Sequence, residues 1–221
     1  MASALTTTTA KSSGILVAIK EFGREWVRAT IARGVTRTAP GSIKYLLFGE
    51  SASRQSISIK FGKFGEALMM DIINKSQDLE LLKTGVQELA GRSKKIDVDL
   101  IWKDKKNPEI IYFRELKGNV NFDTTNLPAV IARTNKLIED LRVQYPGYTI
   151  DGGILHWSVY QRAALHSTTI LRAIQSFERE GIKIQHMGDV LETIGFEWVE
   201  DDFYTYMREL GTMVASSLNN S

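Results

Sequence analysis

Residues 96–117 read IDVDLIWKDKKNPEIIYFRELK, and this stretch decides the fold. Residues 96–102 alternate between apolar and polar side chains, a pattern typical of a β-strand with one covered face. A charged segment containing Asn107 and Pro108 follows, and residues 110–117 are again rich in β-forming side chains. The stretch therefore predicts a β-hairpin.

The acidic side chains of this hairpin are predicted to share one face. Residues two apart on a strand point to the same side of the sheet, so Asp97 and Asp99 share a face and their apolar neighbours form the other. Glu115 and Lys117 share a face of the partner strand in the same way. Carboxylate oxygens suit Mg²⁺, and a nearby cation suits the attacking water of phosphodiester hydrolysis. The competing interpretation is the solvated face of an ordinary antiparallel hairpin.

Helical and strand patterns surround the hairpin. Asn126 as the cap and Pro128 in the first turn predict one helix directly after it. The other patterns are, in chain order, helices at 15–34 and 64–75, one or two strands at 79–89, a strand at 152–160, a helix at 164–180, a strand at 182–187 and a helix at 198–210. This order predicts an α/β or α+β fold with a central mixed β-sheet flanked by helices.

Length and composition indicate a globular protein. The chain has 221 residues, and residues 14–221 are predicted to form a single domain, whereas residues 1–13, almost all Ala, Ser and Thr, are predicted to be a flexible tail. No apolar run approaches the roughly 20 residues that span a bilayer, so we expect a cytoplasmic protein without a membrane partner. A net charge of +2 does not by itself indicate a nucleic-acid partner.

The residue types present restrict the possible chemistry. The absence of cysteine excludes disulfides, thiolate metal sites and a cysteine nucleophile. The three histidines, His156, His166 and His186, do not have the short spacing that would let one helix or hairpin present two imidazoles to zinc. They are predicted to be structural. The candidate metal ligands are therefore oxygen atoms, which suit Mg²⁺ and Mn²⁺.

The segment Asp99–Trp102, with Glu115–Lys117 farther along, resembles the Asp…Glu-x-Lys signature of the PD-(D/E)XK nuclease superfamily. The helix that holds Gly65-Glu66, and Gly118-Asn119 followed by another helix, are similar to type II restriction endonucleases in particular. The resemblance extends over residues 62–157. It implies a restriction-endonuclease-like fold.

The resemblance leaves the choice of aspartate open. The proline of the signature is missing, because Val98 precedes Asp99 and Ile96 precedes Asp97. Asp99 is favoured since three apolar residues follow it, as in members of the superfamily that bury this strand. Asp97 is the reserve candidate.

The resemblance also implies roles for individual residues. Asp99 and Glu115 would hold Mg²⁺ together with the backbone carbonyl of Leu116, and Mn²⁺ could substitute. Lys117 would orient or deprotonate the attacking water, and cleavage would leave 5′-phosphate and 3′-hydroxyl ends. Glu66 would be a further carboxylate near the metal. The alternative for Glu66 is an ordinary solvated helix glutamate.

The activity implied is sequence-specific hydrolysis of double-stranded DNA, without a small-molecule substrate. A homodimer is expected, because a two-fold dimer places one site on each strand of a palindrome. Positive charge before the acidic strand and in the hairpin turn is predicted to bracket the site for phosphate contacts, or else to be ordinary turn solvation; the residues are Arg92, Lys94, Lys95, Lys103, Lys105 and Lys106. The alternative functions are a structure-selective or repair nuclease of the same superfamily and a non-catalytic nucleic-acid-binding module.

Overall fold

The computed structural model describes residue 17 and residues 19–30, 54–118, 126–157, 168–196 and 199–219. The predicted tail, residues 1–13, lies outside the described residues. The chain divides into two compact units, one formed by residues 1–68 and 199–221 and the other by residues 69–198. The single domain over residues 14–221 stays a prediction.

The described elements correspond closely to the sequence patterns. In chain order they are α1 (19–30), α2 (Arg54–Lys75), β1 (Leu79–Leu81), β2 (Gly85–Gln87), β3 (Ile96–Val98), β4 (Leu100–Asp104), β5 (Asn107–Lys117), α3 (Leu127–Gln144), β6 (Thr149–His156), α4 (Thr168–Arg179), β7 (Lys183–His186), α5 (Met187–Thr193) and α6 (Glu200–Asn219). Helix α5 was not predicted, because its seven residues are too few for a helical period to show. Within the ranges given above, no helix has the length and hydrophobicity to cross a membrane.

Aromatic side chains hold the first unit together. Trp26 of α1 meets Phe61 and Phe64 of α2 edge to face, with ring centroids 5.2 and 5.1 Å apart. The hydroxyl of Tyr206, on α6, donates to the carbonyl of Ile19 at 2.7 Å. Helix α6 continues to Asn219, beyond the predicted end at residue 210, and its later turns still contribute the buried Val214.

The second unit is built on a five-stranded mixed sheet with the strand order β1-β4-β5-β6-β7. Strand β4 is antiparallel to both β1 and β5, whereas β5, β6 and β7 run parallel to one another. Strands β2 and β3 pair in a separate two-stranded ribbon. The predicted hairpin is confirmed for β4 and β5, and the central mixed sheet flanked by helices is confirmed as well. The prediction of one strand over residues 96–102 is wrong, because the strand is interrupted at Asp99 and residues 96–98 pair with β2 instead of β5.

The core of the second unit lies between the sheet and helices α3 and α4. It contains Phe113 and Ile154 from the strands, Leu141 from α3 and Phe177 from α4. Asn126 occupies the N-cap of α3 as predicted, but its side chain makes no capping hydrogen bond. The reason is its helical backbone conformation (φ −92°, ψ −15°), whereas capping side chains belong to extended N-cap residues.

Helix α3 approaches β6 closely at Gly152. A Cβ atom on Gly152 would lie 2.3 Å from Cγ1 of Ile138, well inside van der Waals contact. Any larger residue would push the helix away from the strand. This close packing sets the position of α3, which also contributes to the candidate site.

Strand β5 is covered on both faces. Its consecutive residues Phe113, Arg114, Glu115 and Leu116 are all buried, as are Leu100, Ile101 and Trp102 of β4. The predicted division of the hairpin into an acidic face and a core face is therefore wrong, because β5 is an interior strand of a sheet covered on both sides. The solvated-face interpretation is wrong for Glu115, which is 3% exposed.

Candidate active site

The candidate residues lie along one edge of the five-stranded sheet. The carboxyl ends of the parallel strands β5, β6 and β7 meet at this edge, and β4, being antiparallel to β5, begins there. Leu100 pairs with Arg114, so the residue before it, Asp99, comes alongside Glu115. The structure thus brings Asp99, Glu115 and Lys117 together.

Asp99 connects the start of β4 to the end of β5. It lies between β3 and β4, outside both strands, and is half-buried. Its Oδ2 accepts a hydrogen bond from the backbone amide of Leu116 at 2.9 Å. This bond fixes the carboxylate of Asp99 next to the backbone that joins Glu115 to Lys117.

Both carboxylate oxygens of Glu115 have partners. The ammonium of Lys117 donates to Oε1 at 2.7 Å, and the hydroxyl of Thr134 donates to Oε2 at 3.0 Å. A buried carboxylate requires such partners, because removing an ionised group from water is costly. Lys117 supplies the opposite charge and remains 30% exposed at the sheet edge.

Thr134 is a site residue that sequence reasoning missed. It is fully buried on α3, and its hydroxyl also lies 2.9 Å from the carbonyl of Val130, one helical turn earlier. A hydroxyl has one proton, and the charged carboxylate is the stronger acceptor. The sequence did contain a signal for Thr134. It is a polar residue at helical spacing from Val130, Leu137 and Leu141, so it lies on the apolar face of α3.

Asp97, the reserve candidate, and Glu66, the further carboxylate, belong to other elements than Glu115. Asp97 belongs to β3, where it pairs with Val86 of β2 in the separate ribbon rather than with β5. This favours Asp99 over Asp97 as the neighbour of Glu115. Glu66 lies in the first unit, where its carboxylate accepts from Lys63 Nζ at 2.8 Å. The place of Glu66 near a metal stays a prediction.

The oxygen atoms at this edge are of the type that a hard divalent cation prefers. Asp99 and Glu115 offer carboxylates, and Leu116, which follows Glu115 in the chain, offers a backbone carbonyl. Mg²⁺ is commonly held by one or two carboxylates and keeps several water ligands. In the part of the chain that the structure describes, no group of three or more His, Asp or Glu side chains is arranged to hold a metal ion. A cation binding Oε1 of Glu115 would have to displace the Lys117 ammonium.

The lysines of the hairpin turn do not bracket this site. Strand β5 has 11 residues, so its two ends are roughly 30 Å apart at about 3.3 Å per residue. The turn is at the amino end of β5, where Lys105 donates to the carbonyl of Gln77 at 2.7 Å. The prediction for Lys103, Lys105 and Lys106 is wrong because a hairpin turn and the carboxyl end of its second strand lie at opposite ends.

Two histidines meet beside Lys117. His156 is the register partner of Lys117 across β5 and β6 and of His186 across β6 and β7. The two imidazole rings are buried with their centroids 4.9 Å apart at an angle of 66°. Burial and then the neighbouring His186 lower the pKa of His156 to about 4, against the opposing effect of Asp189. Sequence spacing did not reveal the pair because only the parallel register joins β6 to β7; His166 lies outside the described residues.

A buried ion pair ties the same strands together on the opposite face. Arg114 is fully buried and donates to Oδ1 of Asp151 and to the side-chain oxygen of Gln185, both at 2.8 Å. Burial lowers the pKa of Arg114, and Asp151 opposes that shift. Because successive residues of a strand alternate faces, Arg114 anchors β5, β6 and β7 behind Glu115 without entering the site.

Comparisons with protein-family models, with curated proteins and with solved structures find no match for this chain. The chemistry of the site therefore follows from its own residues. A half-buried carboxylate, a buried carboxylate held by a helix hydroxyl and a partly exposed ammonium lie within one sheet edge. Carboxylates are the residue type that would hold a hard cation, and the ammonium would lie beside it.

Proposed function

We propose that this protein is a Mg²⁺-dependent endonuclease that hydrolyses double-stranded DNA at a specific sequence, in the manner of type II restriction endonucleases. The observation that carries the proposal is the contact of Asp99 with the Leu116 amide, which joins Asp99 to the Glu115–Lys117 pair. The resemblance of these residues to the PD-(D/E)XK signature supports it. A restriction-endonuclease-like fold is part of the same proposal.

Each residue of the site has a role in this proposal. Asp99, Glu115 and the Leu116 carbonyl would hold the cation, and Thr134 keeps the Glu115 carboxylate in place. When bound, Mg²⁺ polarises the phosphate and lowers the pKa of a bound water. Lys117 leaves Glu115 and directs its ammonium to the attacking water or the scissile phosphate. In-line attack would leave 5′-phosphate and 3′-hydroxyl ends.

A homodimer completes the proposal. One site of this kind cuts one strand, so cleavage of both strands of a palindrome in one encounter requires two sites related by a two-fold axis. Light scattering of the protein on a DNA fragment measures the number of chains bound. A monomer that cuts both strands in a single encounter would contradict the dimer.

Digestion of unmethylated plasmid DNA tests the function directly. With Mg²⁺, the wild type should produce discrete fragments. The wild type in EDTA and the Lys117→Ala variant in Mg²⁺ should produce none. A smear of products would favour the structure-selective or repair nuclease, which cleavage of branched DNA would then identify. Undiminished cleavage in EDTA would contradict the proposed requirement for a divalent metal ion.

One observation favours a second candidate, a nucleic-acid-binding module without catalytic activity. Both oxygens of Glu115 are engaged by protein groups, as in a purely structural ion pair. The two candidates differ in the effect of divalent cations. Gel-shift binding of DNA without cleavage in either Mg²⁺ or Mn²⁺ would favour the binding module.

A further inference from the structure

Nδ1 of His156 is a buried atom that has no hydrogen-bond partner among the residues that the structure describes. The side chain is 5% exposed. Buried polar atoms are nearly always hydrogen-bonded, because an unpaired one loses its hydration without compensation. A leucine of similar size would avoid that cost. We therefore looked for a donor that could reach this nitrogen when a cation is bound at the site.

Lys117 is the neighbour of His156 on the adjacent strand. His156 pairs with Lys117 in the parallel register, so both side chains lie on the Glu115 face of neighbouring strands about 4.8 Å apart. The ring of His156 is held from its other side by His186. His186 is itself fixed, since its Nδ1 accepts from the amide of Gly188 at 3.0 Å.

The present partner of Lys117 is the oxygen that a divalent cation would take. Its Nζ lies 2.7 Å from Oε1 of Glu115, whose other oxygen is held by Thr134. A divalent cation on Oε1 would compete with the ammonium for that oxygen and repel it. The ammonium then needs a second acceptor at the sheet edge.

We propose that His156 is a positioning residue whose Nδ1 receives the Lys117 ammonium when Glu115 binds a divalent cation. The inference rests on the proposed function for the cation. Neutral imidazole with its proton on Nε2 presents Nδ1 as an acceptor. Burial and His186 lower the pKa of His156, which keeps the ring neutral at neutral pH. The ammonium thereby stays at the carboxyl end of β5, on the β6 side, instead of turning to solvent.

Histidine nitrogen resonances of the full chain, labelled with ¹⁵N, test this exchange without a cleavage assay. Adding Ca²⁺ should shift the Nδ1 resonance of His156, because the nitrogen gains a hydrogen bond. Lys117→Met should bind Ca²⁺ without that shift. Two results would overturn this inference and leave the proposed function standing. One is Ca²⁺ binding to the wild type, measured by calorimetry, without a shift of the His156 Nδ1 resonance. The other is an equal shift of that resonance in Lys117→Met. A wild type that binds neither Ca²⁺ nor Mg²⁺ would overturn the proposed function as well.

Two substitutions at His156 separate positioning from packing. His156→Leu keeps the bulk and removes the acceptor, so kcat of DNA cleavage should fall about 10- to 100-fold with KM nearly unchanged, and Ca²⁺ affinity should fall because the displaced ammonium has lost its acceptor. His156→Asn places an oxygen near the position of Nδ1 and should restore most of kcat. If thermal unfolding shows that the leucine variant is folded and its kcat equals that of the wild type, His156 is not a positioning residue.

Discussion

The hydroxyl of Thr134, on α3, lies 3.0 Å from Oε2 of Glu115, on β5, so a helix residue fixes the carboxylate that the sheet presents. Helix α3 is itself held close to β6 by the contact of Ile138 with Gly152. The position of the Glu115 carboxylate therefore depends on the packing of α3 as well as on β5. Substitutions on α3 should change the site without touching the signature residues.

Thr134→Val tests this dependence, because it keeps the side-chain volume and removes the hydroxyl. The buried Oε2 of Glu115 loses its donor, so we expect a loss of about 2 kcal/mol in the free energy of unfolding. Cleavage should fall about tenfold or more. Thr134→Ser is the matched control and should preserve both. Denaturant unfolding and cleavage rates measure the two effects, and a valine variant equal to the wild type would refute the role of Thr134.

Lys117→Ala should abolish cleavage while DNA binding persists. Without divalent cations the variant should also lose about 2 kcal/mol of stability, because buried Glu115 loses its counter-charge. Added Ca²⁺ should raise the melting temperature of the variant more than that of the wild type, since no ammonium competes for Oε1. Thermal unfolding with and without Ca²⁺ measures this. Wild-type cutting rates in the variant would rule out the assignment of Lys117.

Asp99→Asn and Asp97→Asn form a matched pair. Asp99 contacts Leu116 beside Glu115, whereas Asp97 lies in the ribbon formed with β2. The asparagine at 99 keeps a hydrogen-bond acceptor but loses the charge, so cleavage should be abolished, while the variant at 97 should keep measurable activity. Cleavage assays in Mg²⁺ compare the two. The reverse order would mean that Asp97 is the metal ligand.

Acid should destabilise the fold through His156. Its pKa is about 4 in the folded protein and near 6.5 when unfolded, so between these pH values the unfolded chain binds a proton that the folded chain does not. The contribution of His156 is complete above pH 6.5 and falls by about 3 kcal/mol as the pH drops to 4. Denaturant unfolding over this range should show a weaker pH dependence in His156→Asn. Identical slopes in both proteins would contradict the low pKa.

The metal requirement follows from the oxygen donors of Asp99 and Glu115. Cleavage should need Mg²⁺ and accept Mn²⁺. Ca²⁺ should support specific DNA binding without cleavage, because its looser coordination positions the water poorly. A gel-shift titration beside a cleavage assay in EDTA, Ca²⁺ and Mg²⁺ measures both properties. Efficient cleavage with Ca²⁺ as the sole divalent cation would argue against this account.

The hairpin and the local neighbourhood of its charged residues were predictable because they depend on short-range rules. The charged segment 103–109 between two β-forming runs predicts the hairpin without reference to the rest of the chain, although the turn itself lies at Lys105 and Lys106 and Asn107 and Pro108 already belong to β5. The burial of Glu115 was not predictable in this way. Alternation along one strand does not reveal that a second layer covers its polar face, and that layer comes from α3.

The sequence by itself determined that Glu115 and Lys117 share one face of a strand, since this follows from strand periodicity, while the choice of Asp99 over Asp97 came from the resemblance to the PD-(D/E)XK signature. Only the tertiary structure decided that Thr134 completes the set and that His156 and His186 stand beside it. These contacts depend on how a helix packs on the sheet and on the register of parallel strands joined by crossovers. Long-range register is set by the packing of the whole core, which no local pattern specifies.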